Sequence, residues 1–72
     1  MRRDTLKRVR EAKGLTQMEL AGRAGVTNVY ISLLETRKKR NPSLAVLRRL
    51  ARALGVSAGE LITLLEKQED AR

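Results

Sequence analysis

The sequence predicts an all-α protein: a compact bundle of five short helices that forms one domain over residues 1–72, with its core over about 5–66. Apolar residues recur at spacings of three and four, which is the period of one face of a helix. No run of alternating β-branched and polar residues indicates a strand. Helix-capping residues stand before each apolar segment, and a glycine follows three of the five, so these residues mark where the helices begin and where three of them end.

The first helix is expected over about 5–13. Asp4 or Thr5 can cap its start, and Gly14 can end it in the left-handed conformation. One face carries the apolar residues Leu6, Val9 and Ala12. This stripe predicts the side of the helix that packs on the core.

The second and third helices are expected over about 17–24 and 28–35, joined by a turn of about three residues. Thr16 and Glu19 form a capping box at the start of the second helix. Gly25 ends it, because glycine tolerates the positive φ that such a turn requires. The apolar residues that staple the two helix starts are Leu15 with Leu20 and Val26 with Ile31. A connection this short sets two helices at a steep angle.

The N-terminal part of the third helix, its front, carries side chains that are not needed for the core. Ile31 and Leu34 pin this helix to the core through one narrow stripe, and Ala21 is small where the second helix crosses it. The remaining residues are small or partly polar: Thr27, Asn28, Val29, Ser32 and Leu33. The major groove admits one α-helix, and the N-terminal dipole of a helix attracts phosphate. The pattern therefore predicts base reading, with Asn28 suited to adenine and Val29 to a thymine methyl group.

The fourth helix follows the Asn-Pro pair at 41–42, with Ser43 as its cap and Gly55 at its end. The fifth helix opens with another capping box, made by Ser57 and Glu60. The apolar residues are Leu44, Leu47, Leu50, Ala51 and Leu54 in the fourth helix, and Leu61, Ile62, Leu64 and Leu65 in the fifth.

The chain is strongly basic, with a net charge of +8 and a pI of about 11.2. Residues 1–53 hold 14 Lys and Arg against 4 Asp and Glu, whereas residues 54–72 hold 2 against 4. This asymmetry predicts a polyanion partner on one side, and it favours nucleic acid over charge for solubility alone. The strongest cluster follows the third helix, where it can grip a sugar-phosphate backbone: Arg37, Lys38, Lys39, Arg40 and the Asn41 amide. Arg48, Arg49 and Arg52, on the outer face of the fourth helix, are expected to be solvating charge.

The composition argues against other classes of protein. Without Cys or His, the chain lacks disulfides, the usual metal ligands and the usual general base, so no enzyme, metal or cofactor is expected. The absence of Trp and Phe disfavours recognition of single-stranded nucleic acid. No signal peptide or membrane helix is indicated, and we expect a cytoplasmic, nucleoid-associated protein without a membrane partner. The length leaves no room for a sensor or cleavage domain, so no small-molecule effector site is expected. A DNA-binding domain cut from a longer protein is one alternative, and Met1 with the acidic tail favours a whole protein.

Seven short motifs together resemble one family. They are KGLTQ at 13–17, Ala21, Gly25, YIS at 30–32, Leu34-Glu35, NPSL at 41–44 and ALGVS at 53–57. In this order they resemble the Cro/lambda-repressor-like helix-turn-helix family, also called XRE-like, over about residues 5–65. The resemblance implies five helices, homodimeric binding to double-stranded DNA and a pseudo-palindromic operator.

The resemblance also implies roles for single residues in the second and third helices. The base-reading positions match Asn28, Val29 and Leu33, with Ser32 and the cap Thr27 beside them. Gln17 matches a residue that touches a phosphate and braces the front of the third helix, and Thr16 is grouped with it. Tyr30 stands where its hydroxyl can reach a phosphate, and packing on the second helix is an equally open role.

Glu35 would repel phosphate unless it were neutralised. The resemblance pairs it with Arg10 of the first helix, in a partly buried ion pair with a structural role. The chain departs from the family at two places: relatives often have a long polar residue at the position of Leu33 and a glycine in the region of Thr36 and Arg37.

We therefore expect a sequence-specific, double-stranded DNA-binding transcriptional regulator, a homodimeric repressor or autoregulator that reads its operator through the major groove. The alternative is an antitoxin or a protein-interaction adapter with the same fold. In a dimer, two recognition helices would lie about 34–36 Å apart in successive major grooves. The fifth helix carries more apolar surface than a terminal helix needs, so the dimer surface is expected at Leu61, Leu64 and Leu65.

Overall fold

The computed structural model describes residues 5–38 and 41–70, with side chains described up to residue 66. Over these residues the chain forms five helices and no strand, so the predicted all-α fold is confirmed. The helices are α1 (Leu6–Ala12), α2 (Gln17–Ala24), α3 (Asn28–Glu35), α4 (Leu44–Leu54) and α5 (Ala58–Asp70). The alternative cap Asp4 and the predicted phosphate-binding residues Lys39 and Arg40 lie outside the described residues.

Local capping chemistry sets where the helices begin. Thr5 caps α1, because its Oγ1 accepts a hydrogen bond from the Arg8 amide at 3.2 Å. Ser43 caps α4 in the same way. At the start of α5, Ser57 Oγ accepts from the Glu60 amide at 3.0 Å and Glu60 Oε1 accepts from the Ser57 amide at 2.8 Å. Each such cap contributes about 1 kcal/mol of helix stability.

One cluster of buried side chains holds the helices together. Its large, fully buried members are Leu6, Leu20, Ile31, Leu34, Leu50, Leu54 and Leu61. α2 packs against α3 and α4, α4 packs against α5, and α1 contacts α3 and α5. Full burial of one such side chain contributes about 1.5–3 kcal/mol. The core therefore fixes α3 from two sides, through α1 and α2.

The burial of two helices differs in part from the sequence prediction. On α1, Ala12 is exposed and Arg10 is buried instead, because Arg10 lies one turn after Leu6 and shares its core-facing side. On α4, Leu44 is 58% exposed although it was expected in the apolar stripe. The first turn of α4 lies at the edge of the core, and full burial is reached only at Leu50.

The predicted dimer surface on α5 is wrong for two of its three residues. Leu61 is 0% exposed and Leu64 is 8% exposed, because these residues, three apart on one side of the helix, pack into the core cluster. Leu65 is half-buried and packs against the edge of that cluster. Ile62 is 40% exposed and lies on the same side of α5 as Leu65, so these two residues form the accessible apolar part of the helix.

Candidate nucleic-acid interface

The turn between α2 and α3 has a fixed geometry. Gly25 adopts a φ of 71°, in the left-handed region that glycine reaches without strain. The Val26 amide donates to the Ala21 carbonyl at 3.0 Å and the Gly25 amide donates to the Gly22 carbonyl at 3.4 Å, which is the hydrogen-bond pair of a Schellman motif. Two residues later Thr27 begins α3, so the direction of α3 follows from the last turn of α2.

The front of α3 is exposed, as its sequence predicts. Ile31 and Leu34 are 0% and 1% exposed and hold the inner side of the helix in the core. Asn28 is exposed, and Val29 is 61% exposed. The other predicted base-reading residues are Thr27, which is exposed, and Ser32 and Leu33, which are half-buried. This end of α3 thus offers an amide and a branched apolar side chain to a partner.

Thr27 has a structural role besides the predicted one. Its Oγ1 accepts a hydrogen bond from the Tyr30 amide at 3.1 Å and so caps α3. The hydroxyl hydrogen of a capping threonine is still available as a donor. Thr27 is therefore suited both to starting the helix and to donating toward a ligand at its N-terminus.

Tyr30 packs against the core cluster, which is one of the two roles open for it in the sequence. It is half-buried, and burial raises the pKa of its phenol above the usual value for tyrosine. A tyrosine phenol is protonated at neutral pH with or without this shift, so its hydroxyl can donate a hydrogen bond. Its contact with a phosphate stays a prediction.

The start of α2 is closed by the predicted capping box. Thr16 Oγ1 accepts from the Glu19 amide at 3.0 Å, and Glu19 Oε1 accepts from the Thr16 amide at 2.8 Å. The next residue, Gln17, donates from Nε2 to Glu35 Oε1 at 2.9 Å. Glu35 is the last residue of α3, so Gln17 braces the C-terminal end of that helix; the expectation that it braces the front is wrong. A hydrogen bond to an ionised carboxylate is stronger than one to a neutral acceptor, which favours the bond from Gln17 to Glu35.

The predicted ion pair between α1 and α3 is present. Arg10 Nε lies 2.6 Å from Glu35 Oε2, and Arg10 Nη2 donates to Glu35 Oε1 at 3.3 Å. Arg10 Nη1 donates to the Leu15 carbonyl at 2.7 Å. The hydrogen bond to Glu35 is the main cause that raises the pKa of the Arg10 guanidinium above its already high ordinary value. The pair cancels the negative charge of Glu35, so α3 does not present a bare carboxylate to DNA.

The loop after α3 has a glycine-like turn without glycine. The Lys38 amide donates to the Leu33 carbonyl at 2.9 Å and the Arg37 amide donates to the Leu34 carbonyl at 3.2 Å, a second Schellman motif. The left-handed position is occupied by Arg37, whose φ is 66°. Non-glycine residues adopt this region at a cost of about 1–2 kcal/mol. The departure seen in the sequence therefore leaves the turn intact and adds backbone strain.

The basic loop, which is the sequence segment 37–41, contains five of the residues predicted to bind phosphate. Lys38 and Asn41 are exposed, and Arg37 is half-buried. These residues come shortly after the C-terminal end of α3 in the chain. Cations and amide donors in this place are suited to the negative oxygens of a sugar-phosphate backbone.

Arg49 has a role that the sequence does not reveal. It was expected to be solvating charge, but its Nε donates to the Ala24 carbonyl at 2.8 Å. Ala24 is the last residue of α2, directly before the turn into α3. A basic side chain is known to satisfy the last carbonyls of a helix, yet only the crossing of α2 and α4 shows which carbonyl this one reaches.

The described part of the chain contains neither a candidate membrane span nor a candidate metal site. No helix there is long and apolar enough to cross a bilayer. Likewise, residues 5–38 and 41–66 bring together no group of three or more His, Cys, Asp or Glu side chains suited to a metal ion.

Comparison with protein families gives one match over most of the chain. The model of a family described as "Helix-turn-helix" matches residues 6–61. This range begins at the first residue of α1 and reaches into the start of α5. No solved structure matches the chain.

Several curated proteins are similar to the chain. "Uncharacterized HTH-type transcriptional regulator y4dJ" of Sinorhizobium fredii is 52% identical over 56 residues, which cover 78% of this chain and 71% of that protein. "HTH-type transcriptional regulator SinR" of Bacillus subtilis is 38% identical over 64 residues, which cover 89% of this chain and 56% of that protein. "Immunity repressor protein" of Bacillus phage phi105 is 33% identical over 67 residues, which cover 89% of this chain and 46% of that protein. The chain thus spans about half the length of the last two relatives.

Proposed function

The chain belongs to the XRE-type helix-turn-helix family of DNA-binding transcriptional regulators, and from this premise we propose that it is a homodimeric repressor or autoregulator of a pseudo-palindromic operator. The observation that carries the proposal is the exposed front of α3, which is held from behind by the core and followed along the chain by the basic loop. The name of the phage relative, an immunity repressor, supports repression as the direction of control.

Base reading is assigned to the front of α3. Asn28 carries a donor and an acceptor in one amide, so it can bond adenine N6 and N7 together. Val29 offers methyl groups to the C5-methyl of thymine. The flanking readers are Thr27, Ser32 and Leu33. A good bidentate contact discriminates between bases by about 1–3 kcal/mol.

Phosphate contacts are assigned to polar and basic residues. Those near this helix are Thr16, Gln17, Tyr30, Arg37, Lys38 and Asn41. Lys39 and Arg40, which lie outside the described residues, are assigned from the sequence alone. Gln17 can serve here although it bonds Glu35, because its amide nitrogen carries a second hydrogen. The cations of the loop would displace counterions from the duplex, which makes affinity fall as the salt concentration rises.

We propose a homodimer because one recognition helix contacts too few base pairs for useful selectivity. Two copies related by a two-fold axis would place their α3 helices about 34–36 Å apart, in successive major grooves. The proposed dimer surface is the accessible side of α5, formed by Ile62 and Leu65. Exposed apolar side chains on a terminal helix support this choice.

The test is binding to the DNA upstream of the protein's own reading frame. Fluorescence anisotropy compares that duplex with a scrambled duplex of the same composition, at several salt concentrations. A strong preference for the upstream duplex, two protomers per site and a steep salt dependence are expected. Equal affinity for both duplexes, together with no preferred sequence after selection from a random library, would overturn the proposal.

A further inference from the structure

We propose that Arg49 is a positioning residue for the recognition helix: it fixes the last peptide group of α2 and thereby sets the angle at which α3 meets DNA. The inference rests on the proposed function for its DNA readout. Arg49 lies on α4 and is not assigned to any contact with bases or phosphates. Its influence on DNA would pass through the turn alone.

The geometry of this contact is specific. Arg49 Nε donates to the Ala24 carbonyl at 2.8 Å, in a partly buried place. A Cβ added to Gly25 would lie 3.5 Å from the same nitrogen, so the guanidinium stem also lies against the turn residue itself. Arg49 thus bonds the last residue of α2, and its Nε lies beside the turn residue that follows.

The hydrogen bonds of the turn leave this carbonyl for Arg49. The Schellman motif satisfies the carbonyls of Ala21 and Gly22, as described above. The Ala24 carbonyl lies beyond the reach of that motif, at a helix end where the carbonyls lack partners within the helix. A cation here also complements the negative end of the α2 dipole.

Arg49 itself starts from a rigid base. The next residue of α4, Leu50, is 0% exposed, and Ala51 after it is 4% exposed, so the backbone at this point is anchored in the core. Asn28 follows Ala24 by four residues. A tilt of the Ala24 peptide group is therefore passed on directly to the first turn of α3, where base reading is proposed.

The chain contains a matched control at α4, another helix that ends at a glycine. α4 ends at Gly55 with the same pair of turn hydrogen bonds, from Val56 to the Ala51 carbonyl at 3.0 Å and from Gly55 to the Arg52 carbonyl at 3.2 Å. Lys13 Nζ lies 3.9 Å from where a Cβ on Gly55 would be. Lys13→Met therefore removes one cation beside an equivalent turn, but that turn leads into α5.

The experiment compares Arg49→Met, Arg49→Lys and Lys13→Met with the wild-type protein. The preferred duplex is first selected from a random library with the wild-type protein. The ratio of affinities for this duplex and a scrambled one is then measured at several salt concentrations, with the folded fraction of each variant determined by thermal melting. Residual dipolar couplings of the DNA-free proteins report the angle between α2 and α3.

We expect Arg49→Met to change the angle between α2 and α3 and to lower the affinity ratio by about tenfold, which is within the range for losing one good base contact. Arg49→Lys, which keeps a cationic donor, should recover most of the ratio. Lys13→Met should keep both the ratio and the angle. The salt dependence of the two Met variants should agree, because neither residue touches phosphate.

Three outcomes would overturn the inference. Equal loss on both duplexes with a shallower salt dependence makes Arg49 a phosphate contact. An unchanged ratio and angle with a lower melting temperature leaves it only a stabilising contact. If the wild-type protein prefers no duplex, the proposed function fails, and an unchanged angle in Arg49→Met then overturns the positioning role separately.

Discussion

Glu35, the last residue of α3, forms a two-point ion pair with Arg10 in the last turn of α1, with 2.6 Å between Arg10 Nε and Glu35 Oε2. The two side chains are only 8% and 4% exposed. Forming such a buried pair gains little net free energy, but removing one partner leaves a buried charge without compensation. The contact therefore locks the recognition helix to α1 more strongly than its net stabilisation suggests.

Removing the charge of Glu35 should destabilise the fold severely. Glu35→Gln keeps the shape of the side chain but leaves Arg10 charged and buried, so the free energy of unfolding should fall by about 3 kcal/mol or more. Urea unfolding followed by circular dichroism measures it. The control is Glu11→Gln on the exposed side of α1, which should stay within about 0.5 kcal/mol of the wild type. A loss below about 1 kcal/mol for Glu35→Gln would show that the pair is not structural.

The strained position of Arg37 should separate two small substitutions. Arg37→Gly and Arg37→Ala both remove every contact of the guanidinium, but only glycine adopts a φ of 66° without strain. Arg37→Gly should therefore be more stable than Arg37→Ala by about 1 kcal/mol. Urea unfolding of the two variants checks this. Both should bind DNA more weakly than the wild type, and to the same extent, since each removes the phosphate contact proposed for Arg37. Equal stability would mean that the turn relaxes away from the left-handed conformation.

The helix-turn-helix itself was predictable because its signals are local. α2 and α3 begin and end where the sequence predicts, since the Thr16 capping box, Gly25 and Thr27 each act within one turn of chain. The Arg10 and Glu35 pair was predicted from a different source, the resemblance to a family. In that case the motif supplied a long-range contact that periodicity does not contain.

The features that the sequence did not give depend on how helices cross. The bond from Arg49 to Ala24 spans 25 residues and exists only because α4 passes the end of α2. Which side of α5 faces inward was likewise decided by packing, which buried Leu61 and Leu64 together. For Arg37 the sequence showed a missing glycine, but not that an arginine would adopt the conformation of glycine.

Asn28 should carry selectivity rather than general affinity. Asn28→Ala removes the paired donor and acceptor, so binding to the preferred duplex should weaken by about 1–3 kcal/mol while binding to a scrambled duplex stays unchanged. Selection from a random library with the variant should show one relaxed base position in each half-site. Equal loss on both duplexes would remove Asn28 from the base-reading set.

The contrasting variant for this measurement is Lys38→Ala, in the exposed part of the basic loop. It should weaken binding to both duplexes alike and make the slope of log affinity against log salt shallower by about one unit. An unchanged slope would mean that Lys38 contacts no phosphate. If Asn28→Ala weakens binding to the preferred duplex alone and Lys38→Ala weakens binding to both duplexes, α3 is assigned to the bases and the loop to the DNA backbone.

The proposed dimer should depend on the accessible side of α5. Ile62→Lys places a charge where the proposed interface would bury it without a partner, so the dissociation constant of the dimer should rise at least about tenfold, equivalent to 1.4 kcal/mol. Sedimentation equilibrium of the protein without DNA measures this. Met18→Lys is the matched control, because Met18 is 69% exposed on α2, away from the proposed interface. If Met18→Lys weakens the dimer and Ile62→Lys does not, the two-fold axis lies elsewhere and α5 is not the surface that spaces the recognition helices.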